Sequence, residues 1–355
     1  MTPLLIIYDM KTLILAGGGT AGHVTPLLAV LPLVKDRFDK IIYIGSGKSI
    51  EQTLIAPTGV EIRKISPPAL IRSLTLKNLT IPFKLFNAIN ECERILKTSG
   101  ASVVFSKGGY CALPVCLAAF KLKIPVTVHE SDLTLGLANK LTLKRAAIFF
   151  TSFEQTAKKY GGVYCGPPLR SNLFNGDKDR AKKQLGIKSK KPVLLVTGGS
   201  QGSSAINDAV FNNLGALCEK FNVIHLCGKN KKPTYSAING YFPFEFIDMK
   251  AAISACDFCI TRGGSNTLFE LLYAKKPCIA VPLKKGSRGD QIKNVLHFED
   301  KKALFYLDED LLDKKLLTSL DHLLIKKNYY IENIRGLNLK NGADEIAKKL
   351  IELSK

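Results

Sequence analysis

Apolar residues fall along this chain in two rhythms. Short continuous runs rich in Val, Ile, Leu and Phe alternate with longer stretches in which apolar residues recur every three or four positions. The runs Thr12–Ala16, Lys40–Gly45, 102–105, 126–129 and 147–150 predict strands buried on both faces, and stretches between them, such as 82–97, predict amphipathic helices. The rhythm breaks around Gly166-Pro167-Pro168 and stays polar and lysine-rich through Lys191. A second series then begins: Val193–Thr197, 223–227, Phe258–Thr261 and 278–281. Strand and helix in alternation build a parallel sheet with helices on both faces. The expected fold class is α/β, with two Rossmann-like parallel-sheet domains, 1–166 and 167–335. The last stretch, about 336–355, carries a predicted helix, Ala343–Leu353, with Ile346, Leu350 and Leu353 on one face. That face can pack back on either domain, the N-terminal one included.

Length and composition sharpen this picture. A chain of 355 residues fits two domains of ordinary size, and 46% hydrophobic with 23% charged residues is globular usage that argues against disorder. Lys and Arg number 51 against 30 Asp and Glu, a formal charge of +21. Such a charge calls for an anionic partner, whether nucleic acid, acidic membrane or phosphorylated substrate. The sequence has no Trp and no groove-reading motif, so nucleic acid is not expected. No apolar run is long enough to span a bilayer as a helix. The start, 1–10, lacks a basic segment and a small-residue cleavage site, so it is a poor signal peptide; we expect the natural start near Met10, with 1–9 an extension. Nine Cys without a secretory signal point to a reducing compartment. Cys256 and Cys259 form a CxxC, which we read as two small residues of a buried strand region, because no second pair accompanies them. No metal site is expected.

The chemistry lies in glycine loops. Both predicted halves open as strand, glycine loop, helix: Gly17-Gly18-Gly19-Thr20-Ala21-Gly22-His23 in the first and Gly198-Gly199-Ser200-Gln201-Gly202 in the second. Ser106-Lys107-Gly108-Gly109-Tyr110 repeats the pattern after another strand. Glycine lets backbone approach a phosphate, and a helix N-terminus supplies oriented N–H groups. Tight strand-to-helix packing also needs glycine, so a single loop says little; three in register say more. The first loop is neither G-x-G-x-x-G nor a P-loop, and Ile44-Gly45-Ser46-Gly47-Lys48 offers no acid for a ribose, which disfavours NAD and ATP chemistry. His129-Glu130-Ser131-Asp132, Arg262-Gly263-Gly264-Ser265-Asn266-Thr267 with Glu270, and Arg288-Gly289-Asp290-Gln291 add polar groups at strand ends. Ligands in open α/β sheets sit outside the carboxyl ends of the strands, so both halves are expected to face one cleft.

These motifs, with Gly136-Leu137-Ala138-Asn139-Lys140, resemble those of the MurG family of peptidoglycan N-acetylglucosaminyltransferases, in order and over nearly the whole chain. The resemblance implies a GT-B fold and UDP-GlcNAc as donor substrate, with no bound cofactor. It implies undecaprenyl-diphospho-MurNAc-pentapeptide as acceptor and inversion without a covalent intermediate. By resemblance, Glu270 holds the ribose hydroxyls, Arg170 and Ser200 lie near the donor diphosphate, and Ser265, Asn266 and Thr267 form the turn that meets GlcNAc and phosphates. Gln291 contacts the donor sugar, Ile247 marks where uracil is read by backbone, and Thr20, Ala21, Gly22 and Asp132 complete the donor contacts. Gly18, Gly19, Gly108, Gly109 and Tyr110 are assigned to the acceptor diphosphate. The family pattern has Gly where this chain has Ala21, a glutamine where it has Asp290, and in many members Asn where it has Asp132.

His23 is the expected general base, because it opens a helix whose partial positive end keeps an imidazole neutral. Glu130 is the alternative. His129 reads equally well as a core histidine, His225 reads as structural, and Lys229-Asn230-Lys231-Lys232 as a solvated loop. The stretch 71–86 mixes apolar residues with Lys77 and Lys84 and suits docking on anionic lipid. The expected location is peripheral, on the cytoplasmic face of the cell membrane, with cell-wall synthesis proteins as further partners. A glycolipid synthase of the same fold, acting on diacylglycerol, is the competing enzyme reading.

Overall fold

Parallel strands built from the predicted apolar runs dominate both halves of the computed structural model, which describes residues 10–68, 80–199, 202–233, 238–284 and 288–355. The described residues fall into two compact units: those within 10–131, 135–170 and 341–355 in one, those within 132–134 and 171–340 in the other.

The sheet of the first unit contains β1 (Thr12–Ala16), β2 (Lys40–Gly45), β3 (Glu61–Lys64), β4 (Ala101–Ser106), β5 (Val126–Glu130), β6 (Ile148–Thr151) and β7 (Val163–Tyr164). They lie in the order β3-β2-β1-β4-β5-β6-β7, each pair parallel. Successive side chains point to opposite faces of a strand. Leu13 and Leu15 of β1 therefore join one buried cluster, with Val24, Leu27 and Val30 of the helix Ala21–Val34, while Ile14 and Ala16 join another with Cys92, Leu96 and Val115. Burial on both faces is why these strands read as unbroken apolar runs.

The second unit repeats the plan. Its strands are β8 (Val193–Thr197), β9 (Asn222–Leu226), β10 (Tyr241–Phe244), β11 (Phe258–Thr261), β12 (Cys278–Ala280) and β13 (Phe305–Tyr306), in the order β10-β9-β8-β11-β12-β13. In both sheets the order reverses beside the first strand, at β1 and at β8. A crevice at the carboxyl ends forms at such a point.

Four strands are absent from the sequence reading: β3, β7, β10 and β13. Each is an outer strand of its sheet and each is short. Their residues are mostly half-exposed, so no continuous apolar run marks them. Pro243 lies within β10, where an edge position tolerates the missing N–H.

The helix Ala343–Leu353 belongs to the first unit. Ala343, Ile346, Ala347 and Leu350 are buried in the cluster that contains Val24 and Leu27. Asn341 ties its start: its Oδ1 accepts from Leu169 N–H at 2.9 Å, and its Nδ2 donates to Leu169 O at 2.9 Å. Gly342 N–H donates to Pro167 O at 2.9 Å. The departure of the chain after Arg170 and its return at Asn341 are thus stitched together. Leu350 is fully buried, so Leu350→Ala should destabilise the unit by about 2–5 kcal/mol. Urea unfolding measures the loss; an unchanged midpoint would show that the helix is no part of the core.

Candidate active site

In the first unit, two strand ends bring the predicted acceptor residues together. The loop after β1 carries Gly18, Gly19 and Thr20, and the loop after β4 carries Gly108, Gly109 and Tyr110. Gly19 has φ +88°, and a Cβ there would lie 2.7 Å from Cε1 of Tyr110, so glycine is required and the phenol ring rests on the loop. His23 sits in the first turn of the helix Ala21–Val34. Its Nδ1 is 3.0 Å from the Thr20 hydroxyl, and its Nε2 faces the Gly109 backbone, 3.3 Å from where a Cβ would stand. Thr20 occupies the N-cap position, yet its side chain makes no cap hydrogen bond, and the first turn has no acid. Lys48, from the loop after β2, places Nζ 5.5 Å from the centre of the Tyr110 ring.

Behind these loops lies a carboxylate that sequence reasoning missed. Glu51 is fully buried. Its Oε1 accepts from Gly19 N–H and from the Ser46 hydroxyl, both at 2.6 Å, and its Oε2 accepts from Gly47 N–H at 2.8 Å. The Gly19 amide, assigned to the acceptor diphosphate, is therefore already bonded within the protein. The acid missing from the residues directly after β2 comes three residues later, and it is turned toward the glycine loop.

Glu130 and His129 are both hydrogen-bonded to the framework. Glu130 Oε2 accepts from Gly136 N–H at 2.8 Å and from Asn139 Nδ2 at 2.9 Å. His129 is fully buried. Its Nδ1 accepts from Lys107 Nζ, and its Nε2 donates to Gly166 O at 3.2 Å. Lys107 Nζ also donates to the Ser131 hydroxyl at 2.7 Å. Burial, then the Lys107 charge, hold the imidazole well below its ordinary pKa, so it stays neutral.

In the second unit, Ser265, Asn266 and Thr267 open the helix Ser265–Tyr273, whose first turn has neither a side-chain cap nor an acid. Glu270 follows within it, half-buried. Arg262 is engaged by the framework: Nη1 pairs with Glu309 and donates to Val281 O at 3.2 Å, and Nη2 donates to Ser203. Gln291 Oε1 accepts from Leu283 N–H at 2.9 Å, which orients its amide. Asn294, one turn on and fully buried, is a second residue missed. Its Oδ1 accepts from Leu133 N–H at 3.0 Å, and its Nδ2 donates to Asp132 Oδ1 at 2.9 Å and Gly263 O at 3.3 Å. Asp132 is thereby fixed in this unit, where Thr134 also donates to Asp290. Ile247 lies just after β10, half-buried. Arg170 closes the first unit, which also holds Thr20, Ala21 and Gly22. Ser200 lies outside the described residues. A Cβ at Gly202 would collide with the Cys227 carbonyl oxygen, so that loop too requires glycine. His225, behind it, is buried between Tyr241 and Asn207, its ring nitrogens 3.0 Å from each. Among the described residues no group of three or more His, Cys, Asp or Glu could hold a metal ion.

Residues 13–151 match the model of the glycosyltransferase family 28 N-terminal domain, and 193–350 that of the C-terminal domain. A UDP-N-acetylglucosamine--N-acetylmuramyl-(pentapeptide) pyrophosphoryl-undecaprenol N-acetylglucosamine transferase of Clostridium tetani is 42% identical over 95% of this chain and 96% of its own. The chain belongs to glycosyltransferase family 28. The Clostridium botulinum (strain 657) enzyme of the same name is 41% identical over 98% of this chain and all of its own. Among solved structures, MurG of Acinetobacter baumannii superposes with a TM-score of 0.72 over 96% of this chain and 99% of its own at 24% identity. The calicheamicin glycosyltransferase CalG4 gives 0.72 over 97% and 98% at 13% identity. These likenesses establish the GT-B fold for this family 28 chain.

Its two buried imidazoles generate a pH dependence. Burial lowers His225 to about 4, and His129 is lowered as well. Unfolded, each takes a proton below about pH 6.5. The unfolded state therefore gains protons first on acidification, and stability should fall from about pH 6.5 toward pH 4. His225→Gln should flatten that decline in urea titrations by up to about one proton. An unaltered slope would remove His225 from this role.

Proposed function

We propose that this protein transfers N-acetylglucosamine from UDP-GlcNAc to undecaprenyl-diphospho-MurNAc-pentapeptide, the step from lipid I to lipid II in peptidoglycan synthesis. One observation carries the reading: identity of 41–42% over nearly full length with enzymes named for that reaction. The first unit takes the acceptor and the second contributes most donor contacts, through Glu270, the Ser265–Thr267 turn and Gln291. Incubation with labelled UDP-GlcNAc and lipid I should yield lipid II. Transfer to diacylglycerol in its place would overturn the reading.

The acceptor hydroxyl of MurNAc must lose its proton as it attacks the anomeric carbon. His23 suits that task better than Glu130, whose Oε2 already accepts two N–H bonds. With Nδ1 carrying the proton and donating to the Thr20 hydroxyl, Nε2 keeps its lone pair on the side of the Gly109 loop. The helix dipole disfavours the imidazolium before reaction and so favours a neutral base. Departure of UDP needs charge neutralisation, which Arg170 and the partial positive end of the helix Ser265–Tyr273, with no acid in its first turn, are suited to supply.

The lipid acceptor places the enzyme at a membrane surface, and we assign it to the cytoplasmic face as a peripheral protein. Among the described residues no helix is long and apolar enough to cross a membrane. The helix Ile81–Thr98 exposes Phe83 (71%) and Phe86 (59%) beside Lys84. Exposed aromatic rings next to a cation suit an anionic interface, where each nearby Lys is worth about 1 kcal/mol. Lys77 and the rest of the 69–79 stretch lie outside the described residues.

Two outcomes follow. His23→Ala should lower kcat by about 10²–10⁴-fold with UDP-GlcNAc affinity retained by calorimetry; near-normal turnover would remove His23 from the role. Phe83→Ser with Lys84→Glu should weaken binding to vesicles containing phosphatidylglycerol, and salt should weaken binding of the parent. Binding indifferent to both would make this face merely solvated.

A further inference from the structure

We propose that Glu51 is a positioning residue that fixes the first glycine loop and, through it, the imidazole of His23. The inference rests on the reading of His23 as the base. Glu51 is fully buried, and its hydrogen-bond donors at Gly19, Ser46 and Gly47 are all neutral. Burying a carboxylate against neutral donors is costly, so it persists where its geometry is needed. The geometry links two loops: Gly19 N–H belongs to the loop after β1, and Ser46 and Gly47 to the loop after β2. Both loops leave it space. A Cβ at Gly18 would stand 2.7 Å from Glu51 Oε1, and one at Gly45 would collide with Oε2.

The path to His23 is short. The grip on Gly19 sets the backbone entering Thr20. The Thr20 carbonyl accepts from His23 N–H at 3.1 Å, and its hydroxyl meets His23 Nδ1 at 3.0 Å. Tyr43 reinforces the same loop, donating its hydroxyl to Gly17 O at 2.7 Å. Burial, then the Glu51 charge, push the Tyr43 phenol up, which keeps it a donor. A misplaced base of the order of 1 Å costs about a hundredfold in rate.

Glu51→Gln tests this with nearly the same shape and the wrong polarity. The amide NH₂ must face Gly19 N–H or Gly47 N–H, so one donor loses its acceptor and the loop shifts. Steady-state kinetics should show kcat lowered about tenfold to a hundredfold, with UDP-GlcNAc affinity close to that of the parent. In a His23→Ala background the same change should alter the residual rate by less than about twofold, because the two act on one step. The ring ¹⁵N resonances of His23 should move in Glu51→Gln, a readout independent of turnover. Near-parent kcat, equal losses in both backgrounds, or unmoved His23 resonances would each overturn the proposal. If His23→Ala itself keeps near-normal turnover, the base reading fails, and the resonances alone decide whether Glu51 positions the ring. Should Glu51→Gln not fold, Ser46→Ala removes one donor and keeps the carboxylate. It should move the same resonances and lower kcat about twofold to fivefold; unmoved resonances there overturn the proposal equally.

Discussion

A parallel sheet covered by helices on both faces has few places where polar groups can meet a ligand. Its strands are buried from end to end, and their backbone groups are consumed by the ladder. What remains is the carboxyl edge, where each strand turns into a glycine loop and then a helix. Every N–H at that edge must find a partner, inside the protein or in a ligand. The distribution of internal partners therefore decides where a substrate can bind.

Several loops are closed from within. Glu51 takes Gly19 N–H, Glu130 takes Gly136 N–H, and Ser203 caps the helix Ser204–Asn212 through Ile206 N–H. Asn294 takes Leu133 N–H and holds Asp132. By contrast, the helices that open at Ala21 and at Ser265 have no side-chain cap and no acid in the first turn. Both starts are suited to an anionic substrate. Substrate residues and scaffold residues are neighbours in sequence, so the motifs alone could not separate them. Gly18-Gly19 and Glu130 belong to the motifs, yet the Gly19 amide and Glu130 Oε2 serve the scaffold.

The same constraint explains what was legible beforehand. Central strands declared themselves as apolar runs because burial on both faces demands it, and β1, β2, β8 and β11 have the predicted limits. Edge strands did not, since one side of each is left half-exposed. Among the candidate site residues, glycine loops were readable because no other residue fits φ +88° at Gly19 or the approach of Cys227 to Gly202. Glu51 and Asn294 were not. Both lie on amphipathic helices, where an acid or an amide reads as a solvent-facing residue, and only the fold shows that they point inward. Asn294 did carry a faint signal, one helical turn beyond Gln291 and so on the same face.

On the proposed reading, His23 at its helix start, braced from behind through the loop that Glu51 holds, acts as a base once, on the incoming hydroxyl. That reading is a single displacement without a glycosyl-enzyme intermediate, and Glu130, the other candidate, has its Oε2 held by Gly136 and Asn139. Stereochemistry reads that difference directly. Proton NMR of the disaccharide released from lipid II made by this protein from UDP-α-GlcNAc should show a β-linked GlcNAc. An α-linked product would mean two displacements and would contradict the account.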